Sequence, residues 1–207
     1  MKHLGLYYIT DRHQLGPRSV ETCVAEAIAA GVDWVQIREK DLPARRLLSL
    51  AAWSVEHARS ERHARVMVND RVDVALAAAA DGVHLGGRSL PPPVVRRLAP
   101  AGFVVGVSCH SLAEARAAQA AGADYILLGP IFATPSKLRY GPPLGLEVLH
   151  EVSTQVTLPV FALGGITVER AAQCLAHGAA GIAGIRIFQD CASMGELVRE
   201  LRGRPRE

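Results

Sequence analysis

Short apolar runs alternate along this chain with longer, Ala-rich stretches of helical periodicity, and the alternation itself recurs. Four segments share one form, an Ala-rich stretch followed by a small residue, a brief spacer and an apolar run: AAGVDWVQI at 29–37, AAADGVHL at 78–85, AAGADYILL at 120–128 and AHGAAGIAGI at 176–185. The form predicts a helix that ends at a Gly C-cap, or at a small Ala, and then enters a buried strand. Aligning Gly31, Ala79, Gly122 and Gly178 gives spacings of 48, 43 and 56, each about twice the roughly 25 residues of one strand-plus-helix unit. Further strands are therefore expected halfway between. ARVMVND at 64–70, FVVGVSCH at 103–110 and LPVFALGGI at 158–166 occupy those places, and LGLYYITD at 4–11 precedes the first repeat. Strands separated by amphipathic segments such as SVETCVAEAIAAG and SLAEARAAQAAG predict an α/β protein with a parallel sheet, and eight such units predict a closed (β/α)8 TIM barrel. An open doubly wound sheet is the competitor, because the chain is short for a barrel. No linker or change of composition marks a boundary, so residues 1–207 are expected to form a single domain.

Composition narrows the class of protein. A chain of 207 residues, 49% hydrophobic and 21% charged, is long enough to bury a sizeable core and too apolar for a disordered chain. Its 23 basic and 20 acidic residues are scattered apart from the Arg-rich tail RELRGRPRE, and the net charge is only +3, which is not a nucleic-acid footprint. The four cysteines form no CxxC pair and no cluster with histidine, so reduced thiols are expected rather than a zinc site or a disulfide scaffold. The first residues lack the form of a signal peptide, and no apolar window reaches the roughly 18 residues of a membrane span. A soluble, cytoplasmic protein without nucleic-acid or membrane partners is expected; self-association is left open.

In a barrel the chemistry collects where strands end and the following loops begin. Polar residues gather at those ends: Thr10 and Asp11, Gln36, Arg38 and Lys40, Asn69 and Asp70, His84, Ser108 to His110, Thr134, Ser136 and Lys137, and Gly164 with Gly165. Strand alternation in DWVQIREK at 33–40 sets Val35 and Ile37 on one side, and Gln36, Arg38 and Lys40 on the other. Three cations (Arg38, Lys40 and Lys137), donors from Gln36, Asn69, Ser108 and Thr134, and one carboxylate, Asp70, suit a polyphosphate with a divalent metal. Each feature also has a plain structural use. Asn69 and Asp70 could cap the Ala-rich segment that follows. Gly164 and Gly165 could bring a phosphate to backbone N–H groups, or simply make a tight turn ahead of Thr167. His110 divides between acid/base chemistry and a capping or packing role, Cys109 reads as a buried inert thiol, and His84 as a satisfied structural histidine.

The stretches QIREK, VNDRVDVAL, DGVHLG, GVSCHS, GADYILLGPIFATPSK, PPLGLE and PVFALGGIT, in this order and spacing over about residues 4–190, resemble the thiamine phosphate synthase and thiazole tautomerase family. The resemblance implies a (β/α)8 barrel that joins hydroxymethylpyrimidine diphosphate to hydroxyethylthiazole phosphate and releases diphosphate with Mg2+. It implies that Gln36, Arg38, Lys40, Asn69 and Lys137 contact the pyrimidine diphosphate, that Asp70 is a Mg2+ ligand, and that Ser108, Thr134 and Ser136 are further substrate contacts. Gly164 and Gly165, with the loop after the eighth strand, then resemble a thiazole phosphate cup. The chain departs from the synthase pattern twice: HLGGRSL places Ser89 where synthases carry a second carboxylate for Mg2+, and GIRIF places Arg186 where the phosphate loop has a serine. The tautomerase branch, which needs no metal, implies an acid/base histidine at the place of His110. The synthase leads because most of the diphosphate set is present. The alternatives are the tautomerase, a non-catalytic binder of thiazole or thiamine phosphates, and another phosphate-binding barrel.

Overall fold

In a computed structural model, which describes residues 4–61, 64–134 and 142–203, eight parallel strands are hydrogen-bonded in chain order and closed into a barrel. The open sheet is thereby excluded. The strands are β1 (Gly5–Ile9), β2 (Trp34–Ile37), β3 (Arg65–Asn69), β4 (Gly82–Leu85), β5 (Val104–Cys109), β6 (Tyr125–Leu128), β7 (Val160–Leu163) and β8 (Gly181–Gly184). Each lies inside the apolar run that announced it. The helices between them are α1 (Val20–Ala30), α2 (Ala44–Glu61), α3 (Val72–Ala77), α4 (Pro92–Leu98), α5 (Leu112–Ala120), α6 (Gly145–Gln155) and α7 (Val168–Ala176); α8 (Arg186–Gln189) and α9 (Met194–Gly203) follow β8. No helix among the described residues is long and apolar enough to cross a membrane. The chain groups into two compact units, Leu6–Val83 with Ile185–Glu207, and Met1–Gly5 with His84–Gly184.

The repeat read from the sequence is a helix stop followed by a strand clamp. In the unit built on Leu6–Val83, the Gly31 N–H bonds to Ile28 O and the Val32 N–H to Ala27 O, and Ala79 and Ala80 bond to Leu76 O and Ala75 O in the same way. In the other unit the pattern recurs from Gly122 and Ala123 to Gln119 O and Ala118 O, and from Gly178 and Ala179 to Leu175 O and Cys174 O. These paired bonds are the Schellman closure of a helix. The next residue then engages the start of the preceding strand. Asp33 N–H donates to Leu6 O, Asp81 N–H to Val66 O and Asp124 N–H to Val105 O, and each aspartate accepts the same residue's N–H through Oδ2 at 2.7 Å. Ala180 in the fourth repeat keeps only the backbone bond, to Val160 O at 2.8 Å. Arginines hold two of these carboxylates from outside, Arg202 on Asp33 and Arg96 on Asp124.

Small residues on the strands make room for rings. In the His84–Gly184 unit a Cβ on Gly106 would lie 2.0 Å from the Tyr125 ring, and one on Gly181 would lie 2.7 Å from the Phe161 ring. Tyr125 and Phe161 pack edge to face at 5.8 Å. In the other unit Tyr7 stacks on Trp34, while Tyr8, on the opposite side of β1, packs against Phe188 of α8.

Three of the four helix stops have glycine at the left-handed position, but the second has Ala79 at φ 51°. A Cβ in that region costs roughly 1–2 kcal/mol, against roughly 0.4–1 kcal/mol of unfolded-state entropy that a glycine adds. Ala79→Gly is therefore expected to stabilise the protein by about 0.5–1 kcal/mol, read as a higher urea midpoint at unchanged m-value; a lower midpoint contradicts this account of the turn.

Candidate active site

In the Leu6–Val83 unit the ends of β1, β2 and β3 carry the first group of polar residues. Gln36 is 1% exposed and donates from Nε2 to the Tyr7 hydroxyl at 3.0 Å, so its amide is aimed by a buried phenol. The strand ends at Ile37; Arg38 and Lys40 therefore belong to the following loop, and the alternation argument reaches only Gln36. Another device holds that loop. The Arg38 N–H donates to the buried Thr10 Oγ1 at 2.9 Å, and Glu39, 3% exposed, accepts the Arg12 N–H through both carboxylate oxygens at 3.2 and 3.1 Å. Arg12 also forks onto the exposed Asp41, which bonds His13 Nε2 at 3.0 Å. The Arg12 contact, then that of His13, holds the Asp41 carboxyl well below the usual carboxylate range. Lys40, exposed, sits between these two anchored acids.

At the end of β3, Asn69 is half-buried and Asp70 exposed. Asp70 has φ 66°, and the N-cap of α3 is Arg71 with no side-chain cap, so the capping alternative for Asn69 and Asp70 is not what the chain adopts. Arg71 instead forks onto Asp73. Arg186 is the exposed first residue of the four-residue α8. That turn is tied down by Gln189, which donates from Nε2 to Tyr8 Oη at 3.0 Å and to Asp11 O at 3.3 Å. Burial first of all pushes the Tyr8 phenol well above its ordinary range.

In the His84–Gly184 unit, His84 is buried and partnered at both nitrogens, Nδ1 to Tyr125 Oη at 3.2 Å and Nε2 to Ser108 Oγ at 2.8 Å. The structural expectation for His84 holds, but its partner is a site candidate. His110 is exposed; its Nδ1 bonds the Gly129 carbonyl, an acceptor only, so Nδ1 carries the proton and Nε2 is the basic nitrogen of the neutral ring. Between the two, Cys109 is fully buried and its thiol is pushed up to about 12, by burial first and the Glu114 charge second, which makes it inert. Ser89 Oγ accepts the Gly86 N–H at 2.8 Å and closes a turn.

Gly164 and Gly165 have φ of 100° and 64°, and the loop after β6 leaves no room for a side chain at either. A Cβ would meet Pro130 at 2.7 Å from Gly164, and Phe132 at 2.8 Å from Gly165. Phe132 N–H donates to Gly164 O, and Arg170 bonds Gly165 O while lying over the Phe132 ring. The tight-turn use of the pair is thus real, and Thr167 caps α7 by accepting the Arg170 N–H. The same loop carries Thr134, whose buried Oγ1 has no hydrogen-bond partner among the described residues. Ser136 and Lys137 lie outside the described residues.

Among the described side chains, no group of three or more His, Cys, Asp or Glu could hold an ion. Asp70 offers one exposed carboxylate that makes no hydrogen bond to another described residue, a donor set that fits a Mg2+ completed by phosphate oxygens and water. Sequence reasoning missed Glu39, Arg12 and Tyr7. An acid between two cations beside a strand end was the available signal for Glu39.

The family model described as thiamine monophosphate synthase matches residues 6–188. A protein of Geobacter sulfurreducens named putative thiamine-phosphate synthase is 51% identical over 86% of this chain and 84% of its own. A thiamine-phosphate synthase of Methanoculleus marisnigri is 44% identical over 96% and 94%. Among solved structures, thiamine phosphate pyrophosphorylase from Pyrococcus furiosus superposes with a TM-score of 0.88 at 35% identity, over 98% of this chain and 95% of that one.

Glu39→Ala removes the buried carboxylate that accepts the half-buried Arg12 N–H and is expected to cost about 1–3 kcal/mol, with faster amide exchange at Arg12 in the same sample. Unchanged stability with unchanged Arg12 protection contradicts the anchoring role.

Proposed function

The chain belongs to the thiamine monophosphate synthase family, and from that premise we propose that it joins hydroxymethylpyrimidine diphosphate to hydroxyethylthiazole phosphate with release of diphosphate. The observation that carries the reading is the rim after β2, where a buried amide, Gln36, is followed by two cations, Arg38 and Lys40, on a loop anchored by Glu39. Diphosphate departure needs charge neutralised where it develops, and groups held in place beforehand do this without reorganisation. Arg38, Lys40 and Lys137 are assigned to the diphosphate oxygens, and Gln36 and Asn69 to the pyrimidine substrate. Ser108, Thr134 and Ser136 are assigned as hydroxyl donors, with Ser108 on the departing diphosphate. The backbone around Gly164 and Gly165, and separately Arg186 ahead of α8, are assigned to the thiazole phosphate. Asp70 would hold Mg2+ together with diphosphate oxygens; when bound, that ion neutralises the leaving group. The thiazole nitrogen then captures the pyrimidine-stabilised cation.

A second reading, the metal-independent isomerisation of a thiazole carboxylate phosphate, draws on His110. Its Nδ1 bond to the Gly129 carbonyl leaves Nε2 as a base of the kind a proton shift needs.

Purified protein assayed with each substrate set, with and without Mg2+, separates the two. The synthase reading expects diphosphate release that depends on Mg2+, and a loss of about 2–4 kcal/mol of transition-state stabilisation in Lys40→Ala. His110→Asn is expected to keep at least about a tenth of that rate. Robust isomerisation without metal, abolished in His110→Asn, selects the other enzyme.

Ser89→Asp puts an anionic oxygen where synthases carry one, and is expected to lower the Mg2+ concentration for half-maximal rate. An unchanged or higher requirement contradicts a metal near that turn.

A further inference from the structure

We infer that Tyr125 and His84 are a positioning pair that sets the Ser108 hydroxyl as a hydrogen-bond donor toward the departing diphosphate, an inference that rests on the synthase reading above. Ser108 on β5, His84 on β4 and Tyr125 on β6 make a short chain of bonds, Tyr125 Oη to His84 Nδ1 at 3.2 Å and His84 Nε2 to Ser108 Oγ at 2.8 Å. The phenol is 1% and the imidazole 3% exposed, and the two rings stack at 5.7 Å. Ser108, the outer end of the chain, is half-buried.

A neutral imidazole carries one N–H, so the directions of its two bonds are linked. A phenol is a stronger acid than a neutral imidazole N–H and is the better donor. Tyr125 O–H therefore donates to Nδ1, the ring proton sits on Nε2, and Nε2–H donates to Ser108 Oγ. The serine keeps its own proton for a further acceptor. The opposite polarity would turn that proton back onto His84 and present only lone pairs outward, which repel an anionic oxygen. The Tyr125 hydroxyl thus decides which face of Ser108 a leaving group meets. Its ring cannot drift, because Gly106 and Phe161 enclose it, so Tyr125→Phe removes the hydroxyl and leaves the packing.

The experiment is a double-mutant cycle of steady-state diphosphate release with wild type, Tyr125→Phe, Ser108→Ala and the double variant, joined to 15N NMR of histidine-labelled wild type. Tyr125→Phe is expected to lower kcat by about ten-fold, the worth of one net hydrogen bond, with KM for the pyrimidine diphosphate and the thermal midpoint unchanged. In the Ser108→Ala background it is expected to change kcat no further, since residues acting as a unit are not additive. The NMR is expected to show His84 with its proton on Nε2. An equal loss in both backgrounds, an undiminished kcat in Tyr125→Phe, or an Nδ1–H tautomer each overturns the inference while the synthase reading stands. A wild-type protein that releases no diphosphate from the two substrates overturns both.

Discussion

A backbone N–H at the start of a strand must find an acceptor, and in this barrel aspartate side chains supply three of them. Asp33, Asp81 and Asp124 each accept the N–H of the residue to whose carbonyl they donate, so one residue bonds both groups of its neighbour. The strands beyond are only four to six residues long, and a slip of one residue would turn every side chain to the other face. Clamping the start of β2 at Asp33 therefore settles, three residues later, that Gln36 meets Tyr7. The fourth repeat, with Ala180, keeps only the main-chain bond, and there the Phe161 ring against Gly5 and Gly181 supplies the registering contact by shape. The helix stops before these clamps do the other half of the work, since a helix running one residue further would carry the aspartate out of reach.

Buried polar groups then carry that register into the loops. Glu39 holds the 38–41 loop through the Arg12 backbone, Gln189 holds α8 through Tyr8 and Asp11, and His84 holds Ser108. Each is nearly excluded from water, where an unmade bond costs far more than a made one returns. Such groups tolerate few arrangements, which is what a reacting site asks of its supports. The residues assigned to substrate are mostly more exposed, and the division between exposed working groups and buried anchors runs through both units.

Eight strands and their helices were legible because buried strands and Ala-rich helices differ in period, and because Gly31, Gly122 and Gly178 punctuate them. The clamps are not legible in the same way: an aspartate between a glycine and a strand has the sequence look of a solvated spacer, and only the folded chain brings it to the N–H it covers. The 33–40 stretch was read too far as a strand. Alternation ends at Ile37, and Glu39 in the loop beyond accepts the Arg12 N–H. His84 was read correctly as satisfied, yet nothing in the order of residues says that Ser108 satisfies it, since the partners lie 24 positions apart.

Asp70 keeps the family pattern in a costly backbone conformation. Its backbone at φ 66° is a conformation that costs a residue with a side chain about 1–3 kcal/mol and persists where the surroundings require it. The carboxylate does not offset this by capping α3, and the neighbouring Arg71 is drawn onto Asp73. Ser89, where a second carboxylate is expected, spends its oxygen on the Gly86 N–H. On the synthase reading, a divalent cation at Asp70 would owe most of its ligands to the diphosphate and to water. Its affinity and that of the diphosphate would then rise together, because a coupling free energy between two ligands is felt equally by both. Arg38 and Lys40 stand on the loop that Glu39 anchors. On that reading they would supply charge to the diphosphate with or without the cation, so a serine at position 89 would weaken the hold on the metal without removing the charge that the leaving group needs.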